Sequence, residues 1–409
     1  MNIGFLGLGK LGLPCALVIN NRGHNVYGYD IDPQVKEILD TGVIPYREEG
    51  TPELLKDHSI KWSSVSEVVS NSDIIFVPIQ TPHDEKYEGT TRLPKERVDF
   101  DYSYLKSGIK TLSEEIDKQG EDKIVVIIST VLPGTIRNEI KPLLSKHIKL
   151  CYNPFFIAMG TTRNDFENPE FVLFGMDDQE AYEKAKELYS TIHNKPIYKC
   201  TIEEAEMIKV TYNTYITMKI CLANVVMEAA HKLENVNCDN VMKGLFLGTE
   251  RLISSKYLLG GMGDGGGCHP RDNIALSWLA KKLDMSYDWY ENLMICREEQ
   301  TEWLADLIIE HRKDLPLTIL GKCFKKETNL TVGSPSILLK NLLEERNEQV
   351  DMYDPWVDNH EIELTKQCYF IGTNHDKFLD YDFPKGSIVL DPWGMIQDQE
   401  GVEVIRIGR

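Results

Sequence analysis

The stretch "NIGFLGLGKLGLPCALVINNRGHNVYGYDID" constrains this chain more than any other. An apolar strand, Ile3 to Leu6, runs into Gly7-x-Gly9-x-x-Gly12 and then into an apolar helix from Leu13 to Ile19. Gly23 stops that helix, and a second strand, Val26 to Tyr29, ends in Asp30. This is a dinucleotide fingerprint in its full strand-turn-helix-strand setting. Gly7 makes the tight turn, Gly9 lets a pyrophosphate approach, and Gly12 packs helix on strand, with Leu11 beside them on the turn. Unpaired N–H groups and the helix dipole favour an anion there. Asp30 suits the ribose hydroxyls of an adenosine, and its charge repels a 2′-phosphate. NAD is therefore expected rather than NADP.

Further strands are expected over Ile74 to Ile79 and Ile124 to Ile128, each an unbroken apolar run of the kind buried on both faces. Each ends in hydroxyl-bearing residues, Thr81 after the first and Ser129 and Thr130 after the second. Ligands of open α/β sheets bind beyond the carboxyl ends of strands, so these three hydroxyls belong where the nicotinamide half should lie. The polar segment from His83 to Phe100 reads as an inserted loop, either solvated or a lid.

With 409 residues the chain exceeds one ordinary core, and two or three domains are expected. The division read here is 1–200 for dinucleotide binding, 201–300 for a helical centre and 301–409 for a second α/β domain. Acidic residues outnumber basic ones, 64 to 45. That balance argues against a nucleic acid or an anionic membrane surface as partner. Nine scattered cysteines without a Cys-x-x-Cys pair, no signal peptide and no membrane-length apolar stretch point to free thiols in a cytoplasmic setting. No metal-ligand set is read.

From Glu203 to about His231 the sequence lacks Gly and Pro and is apolar nearly all round, which predicts a long buried or interfacial helix. Lys209 and Asn213 lie one turn apart on it. A buried lysine is costly unless functional or paired, for which Glu206 is the nearby candidate. The third region repeats the strand-helix-strand order without glycines. It has a strand at "LTILG", a helix capped by Ser334 with Pro335 first, and a strand ending in Asp354. Its first loop gathers Lys322, Lys325 and Lys326, a place for phosphate or simply a solvated loop. The fold class is thus α/β, with two doubly wound Rossmann-like domains joined by a long central helix and a helical dimerisation region.

"GGMGDGGGCHPRDN" wraps Cys268 in glycines, which serve where backbone must bend or approach another group closely. Together with the fingerprint, "STVLPGT", "EAEMIKVTYNTY", "PYREEGTPELL" and "FKKETN…SP…YDP", this loop makes nearly the whole chain resemble the UDP-glucose/GDP-mannose dehydrogenase family. The resemblance implies oxidation of a nucleotide-sugar C6 hydroxyl to a uronate by two equivalents of NAD, through a thiohemiacetal and a thioester on a cysteine. It makes Cys268 the nucleophile, Lys209 and Asn213 the groups facing the oxyanion, Asp272 the proton-transfer group, and Thr130 the holder of a water. It also implies substrate contacts at Arg251, Lys256, Tyr257, Gly266 and Lys325, a UDP-sugar as the expected substrate, and a homodimer built on the long helix.

Four positions depart from the family pattern. Phe155 and Met159 stand where it has glutamates, Val332 where it has an arginine, and His269 where it has an apolar residue. Two other readings stay open on sequence. One is a two-electron β-hydroxyacid-type dehydrogenase, which has no use for Cys268. The other is a cofactor-binding relative without catalysis.

Overall fold

The structure is a computed structural model and describes residues 1–249, 254, 256–257, 259–285 and 288–409. Arg251, an expected substrate contact, lies outside the described residues. The chain divides into two compact units, one of Met1–Pro82 with Phe100–Thr211, the other of His83–Asp99 with Tyr212–Arg409. The helical centre and the C-terminal α/β region thus fall within one unit.

The first unit is built on an eight-stranded sheet ordered β3-β2-β1-β4-β5-β6-β7-β8. Its strands are β1 (Asn2–Leu6), β2 (Asn25–Tyr29), β3 (Lys61–Trp62), β4 (Ile74–Val77), β5 (Lys123–Ile127), β6 (Ile148–Tyr152), β7 (Val172–Met176) and β8 (Ile197–Cys200). Pairing is parallel from β3 through β6, and β7 reverses against β6. The strand order turns outward from β1 and β4, which puts the switch point of a doubly wound sheet at the fingerprint. β4 and β5 are buried along their whole length, as their apolar runs require. β4 stops at Val77, earlier than its apolar run, because Pro78 has no N–H to continue the ladder.

The second unit carries a five-stranded, all-parallel sheet ordered β10-β9-β11-β12-β13. These are β9 (Leu317–Leu320), β10 (Asp351–Tyr353), β11 (Cys368–Ile371), β12 (Ile388–Asp391) and β13 (Glu403–Arg406). The helix Pro335–Glu345 begins as its sequence predicts, with the Ser334 side chain accepting from Ser336 N–H and Pro335 in the first turn. The expected long helix is Ile202–Lys232, 31 residues that start in the first unit and end in the second. All nine cysteines are free thiols, six of them buried. No helix among the described residues is long and apolar enough to cross a membrane.

The segment 83–99 is neither a solvated loop nor part of the sheet domain that flanks it in sequence; it packs in the second unit. Tyr87, Leu93 and Val98 join Cys221, Ile274, Leu293 and Met294 in an apolar cluster. Arg92 pairs with Glu345 at 2.7 Å and also with Glu298 and Glu302, and Arg97 pairs with Glu291 at 2.8 Å.

Candidate active site

In the first unit the fingerprint has the geometry of a dinucleotide cradle. Gly7 has φ +117°, and a Cβ on Gly12 would lie 2.3 Å from the Gly7 carbonyl, so neither position admits a side chain. A Cβ on Gly9 would meet nothing within 4 Å, which leaves the open approach that a pyrophosphate needs. The first helix, Gly12–Asn21, starts at Leu11 with no side-chain cap; Leu13 N–H bonds the Gly9 carbonyl at 3.0 Å and Pro14 has no N–H, which leaves the Leu11 and Gly12 N–H groups for an anion. Asp30 is braced by Leu8 N–H at 2.6 Å and Asp32 N–H at 2.9 Å, one on each oxygen. Each oxygen keeps a lone pair for a ribose hydroxyl. These residues fit NAD.

The hydroxyls beyond β4 and β5 tie the two loops to each other. Thr81 donates to the Thr130 carbonyl at 2.7 Å, and Ser129 donates to the Ile79 carbonyl at 2.5 Å. Their protons are thereby committed, and they face a ligand only as acceptors. The Thr130 side chain stays half-buried at the same edge.

Lys209 is buried, its ammonium 5.4 Å from the centre of the Phe156 ring. Glu206 does not serve as its partner. Its two oxygens accept Gly134 N–H at 2.6 Å and Ile136 N–H at 2.8 Å, fixing the "LPGT" turn after β5. Phe155, in a family glutamate position, packs on the core with its ring 5.2 Å from Phe166. It holds no proton, so this position itself supplies no acid or base.

In the second unit Cys268 is the residue from which the helix His269–Lys282 starts, half-buried, with Asp272 N–H bonded to its carbonyl at 2.7 Å. Asp272, one turn on and fully buried, receives Asn213 Nδ2 at 2.5 Å on one oxygen and Arg271 at 3.0 Å on the other. Two sequence-predicted residues, Asn213 and Asp272, are thus in direct contact, and Cys268 begins the same helix.

The glycines around the thiol are demanded first by the protein itself. A Cβ on Gly261 would come within 2.3 Å of Trp393, and one on Gly265 within 2.7 Å of Phe324. Gly267, next to Cys268, is the open one, with only Val332 near, at 3.9 Å. Gly266, an expected substrate contact, has φ +81° against the Phe324 ring. Lys256 and Tyr257 are exposed, and Tyr257 also has positive φ.

The lysine loop after β9 is less basic than its sequence suggests. Lys322 pairs with Asp358 at 2.6 Å and Lys326 with Asp376 at 3.1 Å. Lys325 is half-buried, 5.9 Å from the Phe324 ring centre. Beneath it Cys323, Asp354 and His375 lie close enough to suggest a metal set. Hydrogen bonds engage all three, with the Cys323 thiol donating to the Thr328 carbonyl at 2.9 Å. Glu327 N–H donates to His375 Nδ1 at 3.0 Å, so Nε2 carries the proton and donates to Asp354 at 3.1 Å. These bonds clasp the loop after β9 to the end of β10.

Arg297, Asp264 and Thr217 were not legible as functional. Arg297 had one signal: it follows Leu293 by four and precedes Thr301 by four and Leu304 by seven, which puts a charge on the buried stripe of its helix.

A dinucleotide cradle in one unit and a glycine-wrapped thiol in the other fit the class of NAD-binding oxidoreductases. Residues 1–193 match the NAD-binding domain of the UDP-glucose/GDP-mannose dehydrogenase family, and residues 203–296 match its central domain. Among similar proteins are a GDP-mannose 6-dehydrogenase of Pseudomonas aeruginosa, 29% identical over 87% of this chain and 81% of that one, and a UDP-glucose 6-dehydrogenase of Haloferax volcanii, 26% identical over 98% and 99%. The solved UDP-glucose dehydrogenase of Pyrobaculum islandicum shares the fold, with a TM-score of 0.87 at 22% identity, covering 99% of this chain and 96% of that one. The chain belongs to the UDP-glucose/GDP-mannose dehydrogenase family, and its cofactor is NAD.

Proposed function

We propose that the protein oxidises the C6 hydroxyl of a nucleotide sugar to a carboxylate in two steps, with Cys268 as nucleophile. NAD, when bound, supplies the hydride acceptor for both oxidations. After the first, the Cys268 thiolate adds to the C6 aldehyde and gives a thiohemiacetal, which restores a C–H bond able to yield hydride. The second leaves a thioester on sulfur, and water releases the uronate. Asp272, held by Asn213 and Arg271, is suited to accept the proton of the attacking group, and the buried Lys209 ammonium to stabilise the oxyanion. Thr130 is assigned the water near C6. The observation that carries this reading is the thiol at a helix N-terminus with a fixed carboxylate one turn beyond.

The substrate we propose is a UDP-sugar, contacted by Arg251, Lys256, Tyr257, Gly266 and Lys325. The proposed assembly is a homodimer through the long helix, where Tyr215 and Leu222 are exposed apolar residues. The division 1–200, 201–300 and 301–409 is retained as a functional one: cofactor, thiol and dimer, substrate.

The test is turnover with a panel of UDP- and GDP-sugars. Two NADH should appear per uronate, and intact-protein mass spectrometry should find a sugar-nucleotide adduct on Cys268. Cys268→Ala should bind NAD normally, with turnover reduced by several orders of magnitude. A Cys268→Ala enzyme still making uronate at near wild-type rate would sink the mechanism.

A further inference from the structure

Arg297, on the helix Trp289–Arg312, is buried, yet its guanidinium meets three separate segments. Nε lies 2.7 Å from an Asp264 carboxylate oxygen and donates to the Asp264 carbonyl at 3.1 Å. Nη1 donates to the Gly89 carbonyl at 3.0 Å, and Nη2 to the Gly333 carbonyl at 3.1 Å. A rigid fork of donors reaches the three carbonyls at once while its charge pairs with the Asp264 carboxylate; an ammonium cannot.

Both arms of the fork lead to the residues that follow the thiol. Through Asp264, the other carboxylate oxygen accepts the Thr217 hydroxyl at 2.9 Å. That hydroxyl has only one proton, so His269 Nδ1, 3.0 Å away, donates to it, as does Asn273 Nδ2 at 3.2 Å. Through Gly89, at φ +75°, segment 83–99 lies flat on the thiol helix: a Cβ there would come 2.7 Å from Pro270 Cβ. Glu88 and Gly266 close on the same point, for a Cβ on Gly333 would meet the Gly266 carbonyl at 2.5 Å and the Glu88 carbonyl at 3.1 Å.

We propose that Arg297 is a positioning residue for Cys268, acting through Asp264 and Thr217 on His269 and through Gly89 on Pro270, so that segment 83–99 is a working part of the nucleophile's setting. The proposal rests on the reading of Cys268 as nucleophile. It assigns a task to His269, which departs from the family pattern: its ring anchors the start of the thiol helix.

The test measures kcat, KM, NAD affinity and the rate of Cys268 alkylation by iodoacetamide in Arg297→Ala, Arg297→Lys and Gly89→Ala. For Arg297→Ala, kcat should fall about 100-fold, the scale of an ångström's misplacement of a reacting group. NAD affinity should stay within twofold, the alkylation rate should change, and millimolar guanidinium should restore part of kcat. Arg297→Lys should recover little. Should Arg297→Ala fail to fold, Gly89→Ala decides, since it adds one methyl against Pro270; kcat should drop at least tenfold at unchanged NAD affinity. Wild-type kcat and alkylation rate in Gly89→Ala, or loss without guanidinium rescue in a folded Arg297→Ala, would overturn the proposal. Full turnover by Cys268→Ala would instead defeat the nucleophile reading itself.

Discussion

Asn213 donates to Asp272 at 2.5 Å, joining the long helix to the helix that starts at Cys268. With Arg271 on its other oxygen, Asp272 is fixed in place as an acceptor. Asp272→Asn sets amide against amide and removes the proposed proton acceptor. Its kcat is expected to drop by ~10²–10⁴-fold, the range for a lost general base. NAD affinity, set in the other unit, should not change. Steady-state kinetics with NAD titration by fluorescence check this, and a loss confined to NAD affinity would contradict it.

Asp30 is the residue expected to set cofactor choice. Its carboxylate, braced by Leu8 and Asp32, should make NAD preferred over NADP at least tenfold, about 1.4 kcal/mol. Asp30→Ser should narrow that ratio mainly by improving NADP. Gly12→Ala, which drives a methyl into the Gly7 carbonyl, should abolish binding of both. Equal affinities in the wild type would remove Asp30 from this role.

Glu206 gives the first unit a pH dependence. Burial lifts its carboxyl from the ordinary 4.5 to about 7, against the two backbone N–H donors that pull it down. The folded state therefore holds this proton more tightly than the unfolded one. The stability it contributes is complete below pH 4.5 and is lost as pH rises through about 7. Between pH 5 and 8 the urea midpoint of the wild type should decline more than that of Glu206→Gln. Parallel curves would show that the N–H donors win instead.

His83 acts in the opposite sense. Burial first, and then Arg271, hold its imidazole at about 4, well below the ordinary 6.5, although Asp272 pulls it upward. The unfolded chain takes up this proton first. Stability from His83 is complete above pH 6.5 and is lost as pH falls through about 4. Hydrogen exchange over residues 83–99, corrected for its intrinsic pH dependence, should therefore accelerate across that window. In His83→Gln the acceleration should shrink; an equal acceleration would place the titrating group elsewhere.

What could be read from sequence was what is local or periodic. The fingerprint, the Ser334–Pro335 helix start and the long Ile202–Lys232 helix each depend on residues within a few positions of one another. Asn213 and Asp272, found in contact, were named through a family pattern rather than a spacing rule. The rest depended on partners far along the chain. Nothing near Lys322 or Lys326 announces Asp358 or Asp376, so a paired loop reads as a basic one. Glu206 is three residues from Lys209 but spends its charge on a turn more than sixty residues earlier. Segment 83–99 looks solvated because its carboxylate partners Glu291, Glu298, Glu302 and Glu345 come so much later.

That last feature sets an order of events at the ribosome. Gly89 and Arg297 are 208 residues apart, so at ~5–20 residues per second the segment emerges on the order of ten seconds or more before its clasp exists. Until Cys221 and Ile274 have been made, Tyr87, Leu93 and Val98 lack the apolar partners of their own unit, while the strands that flank them can already pair. Once the sheet of the first unit folds, the nascent chain carries an uncovered apolar loop, which makes it a natural client for a chaperone until the residues after Tyr212 have been made.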